Sequence, residues 1–364
     1  MFKKTLLAAS LAALSAGAMA VDVSTSTAAI YGNEGFTSGL VKNAFDELEL
    51  GAVKLKLGAE YTVGDTFTIT ISGGEFDTDD LFLLTDTTDA STDNEITTGL
   101  LDATANELLF RITGLSDATT TVGQILELKL SGGAVPIKLG STSVGAKLNV
   151  SVRAATESGR TIDSQGSKDS FEIGKVVQQH TFTIKPVMNG VIDVADERKS
   201  FAVDANATFN VEYDETTVNQ AGFAIADTIY TIKGAMAGFE NTVIASDNDG
   251  TIISSTDSNA PYTVATDLQS ATRTSGDAPN QAEVVLFAVG TLADRVVLST
   301  SSYTVDVTIE DTDGKSVTYS AIAAGKTSLN GANAQFAYVP VNFVGAVTSN
   351  LKLVIRALLT VKLH

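Results

Sequence analysis

Apolar and polar residues alternate with a period of two along most of this 364-residue chain. That is the pattern of strands with one face buried and the other in water. The clearest early run is Val53, Leu55, Leu57, Ala59, Tyr61 and Val63, opposed by Lys54, Lys56, Glu60 and Thr62. Gly64-Asp65 follows as a turn signal, and Phe67, Ile69 and Ile71 resume the alternation between threonines, so a hairpin is expected there. Leu126, Leu128 and Leu130 mark another strand, and Leu148, Val150 and Val152 a further one. In the second half, Phe201, Val203, Ala205, Ala207, Phe209, Val211 and Tyr213 share one face, with Asp204, Asn206, Thr208, Asn210, Glu212 and Asp214 on the other. Tyr303, Val305, Val307 and Ile309 lead into Asp313-Gly314, a pair suited to a tight hairpin turn. Val317 and Tyr319 begin the return strand, and Leu351, Leu353, Ile355 and Ala357 alternate near the end.

Threonine and valine suit these strands, because branching at Cβ packs well on a pleated surface. One helix is expected, with Leu40, Val41, Ala44, Phe45 and Leu48 on one side and Ser38 as its cap. The same stretch also reads as an irregular strand. Polar loops separate the strands at 77–95, 156–170, 246–258 and 271–281. The fold class expected is therefore all-β: two immunoglobulin-like β-sandwich domains with long acidic loops, 21–185 and 186–364, divided at Pro186. A continuous sheet across that point is the alternative. The halves resemble each other in pattern, with no strict repeat of residues.

Residues 1–20 break the alternation and read as a secretory signal peptide. Lys3 and Lys4 supply a positive start, Thr5 to Gly17 an apolar stretch, and Ala18-Met19-Ala20 a small-x-small cleavage site before Val21. No cysteine stands at the cut, so a lipid anchor of the lipoprotein kind is excluded. No other stretch approaches the roughly 18 consecutive apolar residues of a spanning helix. Without the leader's two lysines, 22 basic side chains face 43 acidic ones, a formal charge of −21. Such a chain repels nucleic acid and anionic lipid and attracts divalent cations or basic partners. At 44% apolar and 18% charged it still has the material for a core.

What is missing narrows the chemistry further. With no cysteine there is no thiol nucleophile, thiolate metal site or redox centre. His180 is the one internal histidine, and no Gly-x-Ser-x-Gly accompanies it, so it reads as a strand residue at the margin of a buried face. Carboxylate pairs of the glycosidase kind are not singled out, and tryptophan, the usual sugar platform, is absent. No glycine-rich phosphate loop occurs. The acidic loops are the remaining signal: Asp77, Asp79 and Asp80, followed by Asp86, Asp89, Asp93 and Glu95; then Asp247 and Asp249; then Glu310, Asp311 and Asp313. Calcium takes six to eight oxygen ligands on flexible loops, so these are the candidate calcium ligands, although none spells an EF-hand.

With its acidic balance, no cysteine or tryptophan, few methionines and more lysine than arginine, the whole mature chain resembles bacterial surface-layer proteins, particularly those of Gram-negative bacteria exported with a cleaved signal peptide. The resemblance implies a secreted structural protein retained at the cell surface. It also implies copies of itself as partner, calcium-dependent contacts and no enzymatic activity. Two other classes stay open. An outer-membrane β-barrel shares the export signal and alternating strands, but aromatics are only 7% and the chain ends on histidine rather than on an aromatic residue. An adhesin or pilus-type binding module would present loops at the ends of the same sandwiches.

Overall fold

The structure is a computed structural model that describes residues 21–331, apart from 26–27, 52, 88–94, 118, 121, 131–134, 163–169, 205, 240–242, 247–261, 276–278, 280–281 and 289–294. The expected leader and the alternating segment at 351–357 lie outside the described residues.

Strand pairing divides the chain into two units. Unit 1 comprises β1 (Asp22–Thr25), β2 (Ala29–Gly32), the short helix α1 (Asn33–Thr37), β3 (Glu49–Leu50), β4 (Val53–Lys56), β5 (Thr66–Ser72), β6 (Gly74–Phe76), β7 (Phe82–Asp86), β8 (Ile96–Thr104), β9 (Glu107–Leu115), β10 (Ile125–Leu130), β11 (Val135–Leu139), β12 (Lys147–Ala155) and β13 (Ser170–Val177). Unit 2 comprises β14 (His180–Ile184), β15 (Met188–Ile192), β16 (Asn206–Glu215), β17 (Asp227–Lys233), β18 (Val243–Ser246), β19 (Thr263–Val264), β20 (Ser270–Ser275), β21 (Ala282–Ala288), β22 (Ser302–Glu310) and β23 (Ser316–Leu329). The change from one set of sheets to the other falls at Gln178-Gln179, ahead of Pro186.

Each unit is a sandwich of a four-stranded and a six-stranded sheet, and the two sandwiches have one topology. The four-stranded orders are β1-β4-β10-β7 and β14-β16-β21-β18; the six-stranded orders are β2-β13-β12-β5-β9-β8 and β15-β23-β22-β17-β20-β19. Taken in chain order, every strand of unit 2 has its counterpart in unit 1. Only β3, β11 and β6, a further three-stranded sheet, have none among the described residues. In both units the opening strand is shared between the sheets. β14 pairs antiparallel with β16, then the chain crosses at Lys185–Val187 and continues as β15, parallel to β23. β1 and β2 do the same against β4 and β13.

The correspondence reaches single residues. In β12–β13, Leu148 pairs with Gly174 and Asn149 with Glu172, leaving Ile173 as a bulge. In β22–β23, Tyr303 pairs with Gly325 and Thr304 with Ala323, leaving Ala324 in the same place. A lysine follows the glycine both times, at Lys175 and Lys326. Gly73 and Gly234 close the equivalent ends of β5 and β17, each with a positive φ (+82° and +152°). A Cβ on Gly73 would strike the Lys147 carbonyl, and one on Gly234 the Tyr303 ring. Inward side chains build a separate apolar cluster in each unit, one including Tyr61, Phe67 and Phe110, the other Phe209, Phe287 and Tyr303.

The expected polar loops at 77–95 and 271–281 hold β7 and most of β20, and three further expectations are corrected. The run from Val53 does not form a hairpin with Phe67–Ile71, because β4 pairs with β1 and β10 while β5 pairs with β12 and β9, in the other sheet. Residues 40–48 form turns, and the helix lies upstream at Asn33–Thr37, with Ser38 at its C-terminal end. Gly39, at φ +72°, interrupts helical geometry, and the Asn43 amide bonds both backbone groups of Leu139 at 2.7 Å, tying the segment down as a strand would. The apolar face expected from Phe201 is broken at Val203, which is 82% exposed because the chain bends there before β16.

Candidate functional site

The joint between the units gathers Glu34, Gln179 and His180, three of the nine buried polar or charged residues among those described. Unit 1 ends at Val177 and unit 2 begins at His180, so two residues carry the chain between cores. At that crossing the backbone leaves one ladder before entering the next, and its amides need other acceptors. Glu34, in α1 and only 1% exposed, supplies them. Gln179 N–H donates to its Oε2 at 2.8 Å, His180 N–H to its Oε1 at 3.2 Å, and the Tyr319 hydroxyl from β23 to Oε1 at 2.7 Å. A carboxylate removed from water is costly unless its lone pairs are filled, and here three donors, from the linker, β14 and β23, fill them.

His180 is also fully engaged. Its Nε2 lies 2.9 Å from the Phe223 carbonyl, so Nε2 carries the hydrogen and donates it. Nδ1 then accepts from the Tyr213 hydroxyl at 2.9 Å. With both ring nitrogens committed, neither is left to activate a serine. By strand register His180 stands where unit 1 has the apolar Val21, next to the core. The Gln179 side chain continues the network, donating to Glu215 Oε1 at 3.1 Å and accepting from Phe223 N–H at 2.7 Å. Burial raises the Tyr319 hydroxyl above the usual tyrosine range, and the Glu34 carboxylate adds to the effect. Burial does the same for Tyr213, with Glu215 the next cause. Both stay protonated donors at neutral pH.

Backbone contacts lock the same joint. Gly32 N–H donates to Gln220 O at 3.0 Å, and Gln220 N–H to Ile30 O at 3.1 Å, so the β16–β17 connection pairs along the free edge of β2. Asn219 adds its side chain, accepting from Ile30 N–H at 2.7 Å and donating to Ala28 O at 3.1 Å. Gly32 and Gly35 allow this approach. A Cβ on Gly32 would sit 2.7 Å from the Ala221 carbonyl, and one on Gly35 closer still. Beside the joint opens a cleft of about 390 Å³ lined by Gln179, His180, Tyr213, Glu215 and Phe223. The arrangement is built to hold two bodies in one orientation.

The sequence-selected acidic residues lie elsewhere. Asp77, Asp79 and Asp80 share the turn after β6, where Asp77 Oδ1 accepts Asp79 N–H at 3.1 Å. Asp311 and Asp313 lie in the β22–β23 turn, and Asp311 is buried with one oxygen holding Asp313 N–H at 2.9 Å and Lys315 N–H at 2.7 Å. These carboxylates shape their turns. Among the described residues no group of three or more His, Asp or Glu side chains converges as a metal site. Asp247 and Asp249, with Asp89 and Asp93, lie outside the described residues. Sequence reasoning missed Glu34, Gln179, Tyr213 and Tyr319. The one local signal was an acid set among glycines, in Gly32-Asn33-Glu34-Gly35.

Several solved structures are similar to the chain. The C-terminal domain of the Streptococcus agalactiae AgI/II polypeptide BspA matches at 10% identity and a TM-score of 0.29, over 77% of this chain and 94% of that one. The collagen adhesin of S. aureus matches at 9% identity and a TM-score of 0.23, over 85% and 91%. The collagen-binding domain of the Erysipelothrix rhusiopathiae surface protein RspB matches at 11% identity and a TM-score of 0.20, over 86% and 93%. At these TM-scores the likeness carries no argument. No curated protein matches the chain. A family model described as S-layer protein Slr4 matches residues 65–351. That match spans 287 of the 364 residues and reaches into both units, and the chain accordingly belongs to the S-layer protein Slr4 family, structural proteins of the cell surface.

Proposed function

We propose that the chain is the repeating subunit of a surface lattice, exported by its leader and assembled outside the cell from copies of itself. The family match carries this reading. A periodic layer needs subunits of fixed shape, and the clasped joint supplies one from two sandwiches. The closed cores also weigh against the barrel alternative. Strands such as β5 and β22 turn their apolar side chains inward and their threonines outward, whereas a barrel in lipid presents an apolar band outside. Among the described residues no helix is long and apolar enough to cross a membrane, which does not bear on barrels.

A formal charge of −21 on every mature copy opposes close packing, so divalent cations between copies belong to the proposal. The carboxylates described within one copy do not form a calcium cage. We assign calcium to contacts between copies or to screening. Electron microscopy of intact cells, of chelator-stripped cells and of the released protein after calcium is restored tests the reading. A periodic layer that dissolves and re-forms is the expected result. Protein that leaves the envelope only with detergent would establish the barrel, and protein that stays monomeric would leave the adhesin class.

A further inference from the structure

At the joint, unit 2 meets unit 1 end on. Its 216–226 connection, plugged by buried Phe223, lands on the C-terminal end of β2, the parallel edge strand of unit 1. Since the units share one topology, each has such a connection at one end and such a strand end at the other. The connection matching 216–226 in unit 1 is 57–65, between β4 and β5, plugged by buried Tyr61. It lies remote from the joint, because Thr66 pairs with Ala155 at the far end of β12, while Lys147 at its near end pairs with Lys175. The strand end matching Gly32 in unit 2 is that of β15, which pairs with Leu329 at the opposite extremity of the molecule.

The second extremity carries counterparts of the clasp positions. Counting from the paired residues Ala29 and Met188, Asp193 holds the place of Glu34; counting from Lys175 and Lys326, Asn330 holds that of Gln179. Asn330 Nδ2 donates to Asp193 Oδ1 at 2.9 Å, so the two counterpart positions are bonded again, through a side-chain amide where Gln179 uses its backbone N–H. Both extremities also expose valines. Val63 and Val122, each 54% exposed, stand at the first, on segments joined by Thr120 N–H to Tyr61 O. Val203 at 82%, with Val296 and Val297 at 46%, stands at the second, on segments held by Ala202 N–H to Val191 O and Leu298 N–H to Arg198 O. Isolated exposed valines are ordinary, but clusters on two surfaces whose counterparts meet at the joint mark a contact.

We propose that copies join head to tail, with the Val63 and Val122 end of one seated on the Val203, Val296 and Val297 end of the next. The occupant is a second copy, because the two free ends are, by topology, the counterparts of the two surfaces that meet at the joint. Two different surfaces at opposite ends form a heterologous contact, which propagates as an open row instead of closing into a dimer. Residues 200–202 cover the edge of β15, so the ends pack face to face and no strand is exchanged. The proposal rests on the surface-lattice reading and assigns one direction of that lattice.

The chain has no cysteine, which makes the test direct. Full-length Val63→Cys and Val203→Cys proteins are prepared separately, checked for an unchanged thermal melt, mixed under assembly conditions and treated with a short bismaleimide. The expected result is covalent dimers in the mixture, several-fold above either protein alone, and a ladder of multimers from the double variant. Val122→Cys with Val296→Cys provides an independent pair. An assembled layer that yields only 63–63 or 203–203 products, or none, overturns the head-to-tail contact and leaves the lattice reading standing. Cross-linking within one molecule of the double variant overturns it as well. Monomers at every concentration, with no layer by microscopy and no cross-link, overturn both.

Discussion

Glu34 concentrates the residue-scale argument, because three donors, from the linker, β14 and β23, converge on one buried carboxylate. Glu34→Gln keeps the shape but turns an amide donor towards one of those donors. We expect it to destabilise the protein by about 1–3 kcal/mol, the usual cost of an unsatisfied buried group. Urea melts check this, and Tyr319→Phe added to Glu34→Gln should cost less than in the wild type, since the two share one bond. A Glu34→Gln melt superimposed on that of the wild type would remove the carboxylate from its assigned role. The tyrosines add a dependence on pH. Burial raises Tyr319 and Tyr213 above the ordinary 10.0 and pushes Tyr303 up to about 12. A group whose folded value is raised binds its proton more tightly when folded. Its contribution is complete below pH 10 and is lost as pH rises through the folded values. Thermal stability from these groups should therefore hold from neutral pH to about pH 9 and fall above about pH 10, and Tyr319→Phe should lessen the fall. A flat alkaline profile would contradict it.

At the scale of elements, the duplicated glycines provide the sharpest comparison. Gly234 has φ +152° and no room for a Cβ beside Tyr303, whereas Gly314, at φ +73° in the β22–β23 turn, has open space around it. Gly314→Ala carries the left-handed penalty alone, roughly 1 kcal/mol. Gly234→Ala carries that and a clash with a packed ring, so its denaturant midpoint should fall further; equal losses would refute the assignment. Strand positions were legible in the sequence where alternation is strong, as at Tyr303–Ile309 and Leu148–Val152, because burial on one face imposes a period of two. Partners were not legible. Alternation is identical whichever sheet a strand joins, which is why β4 and β5 read as a hairpin although they lie in different sheets. The joint was hidden for another reason. Its bonds link Glu34 to residues 145, 146 and 285 positions away, and no local pattern records such contacts. The duplication likewise sits in topology, bulges and glycines more than in residue identity.

For the whole molecule, charge and shape act against each other. Without residues 1–20 each copy carries a formal −21, so association should strengthen as salt shortens the reach of repulsion, about 10 Å at 0.1 M ionic strength. Sedimentation in sodium and calcium chloride at equal ionic strength separates the two roles of a cation. Stronger association in calcium would show that carboxylates of neighbouring copies bind it, and equal association would reduce calcium to screening.

The shared opening strand has a mechanical consequence. In each unit the chain enters at one end through β1 or β14, and leaves at the other through β13 or β23. The segments nearest those exits, β2 with β13 and β15 with β23, run parallel. Tension along the chain pulls the members of each pair in opposite directions along their length. Their hydrogen bonds are then sheared together, and none can be peeled away first. Each sandwich thus behaves as a link that resists stretching along the direction in which the chain runs.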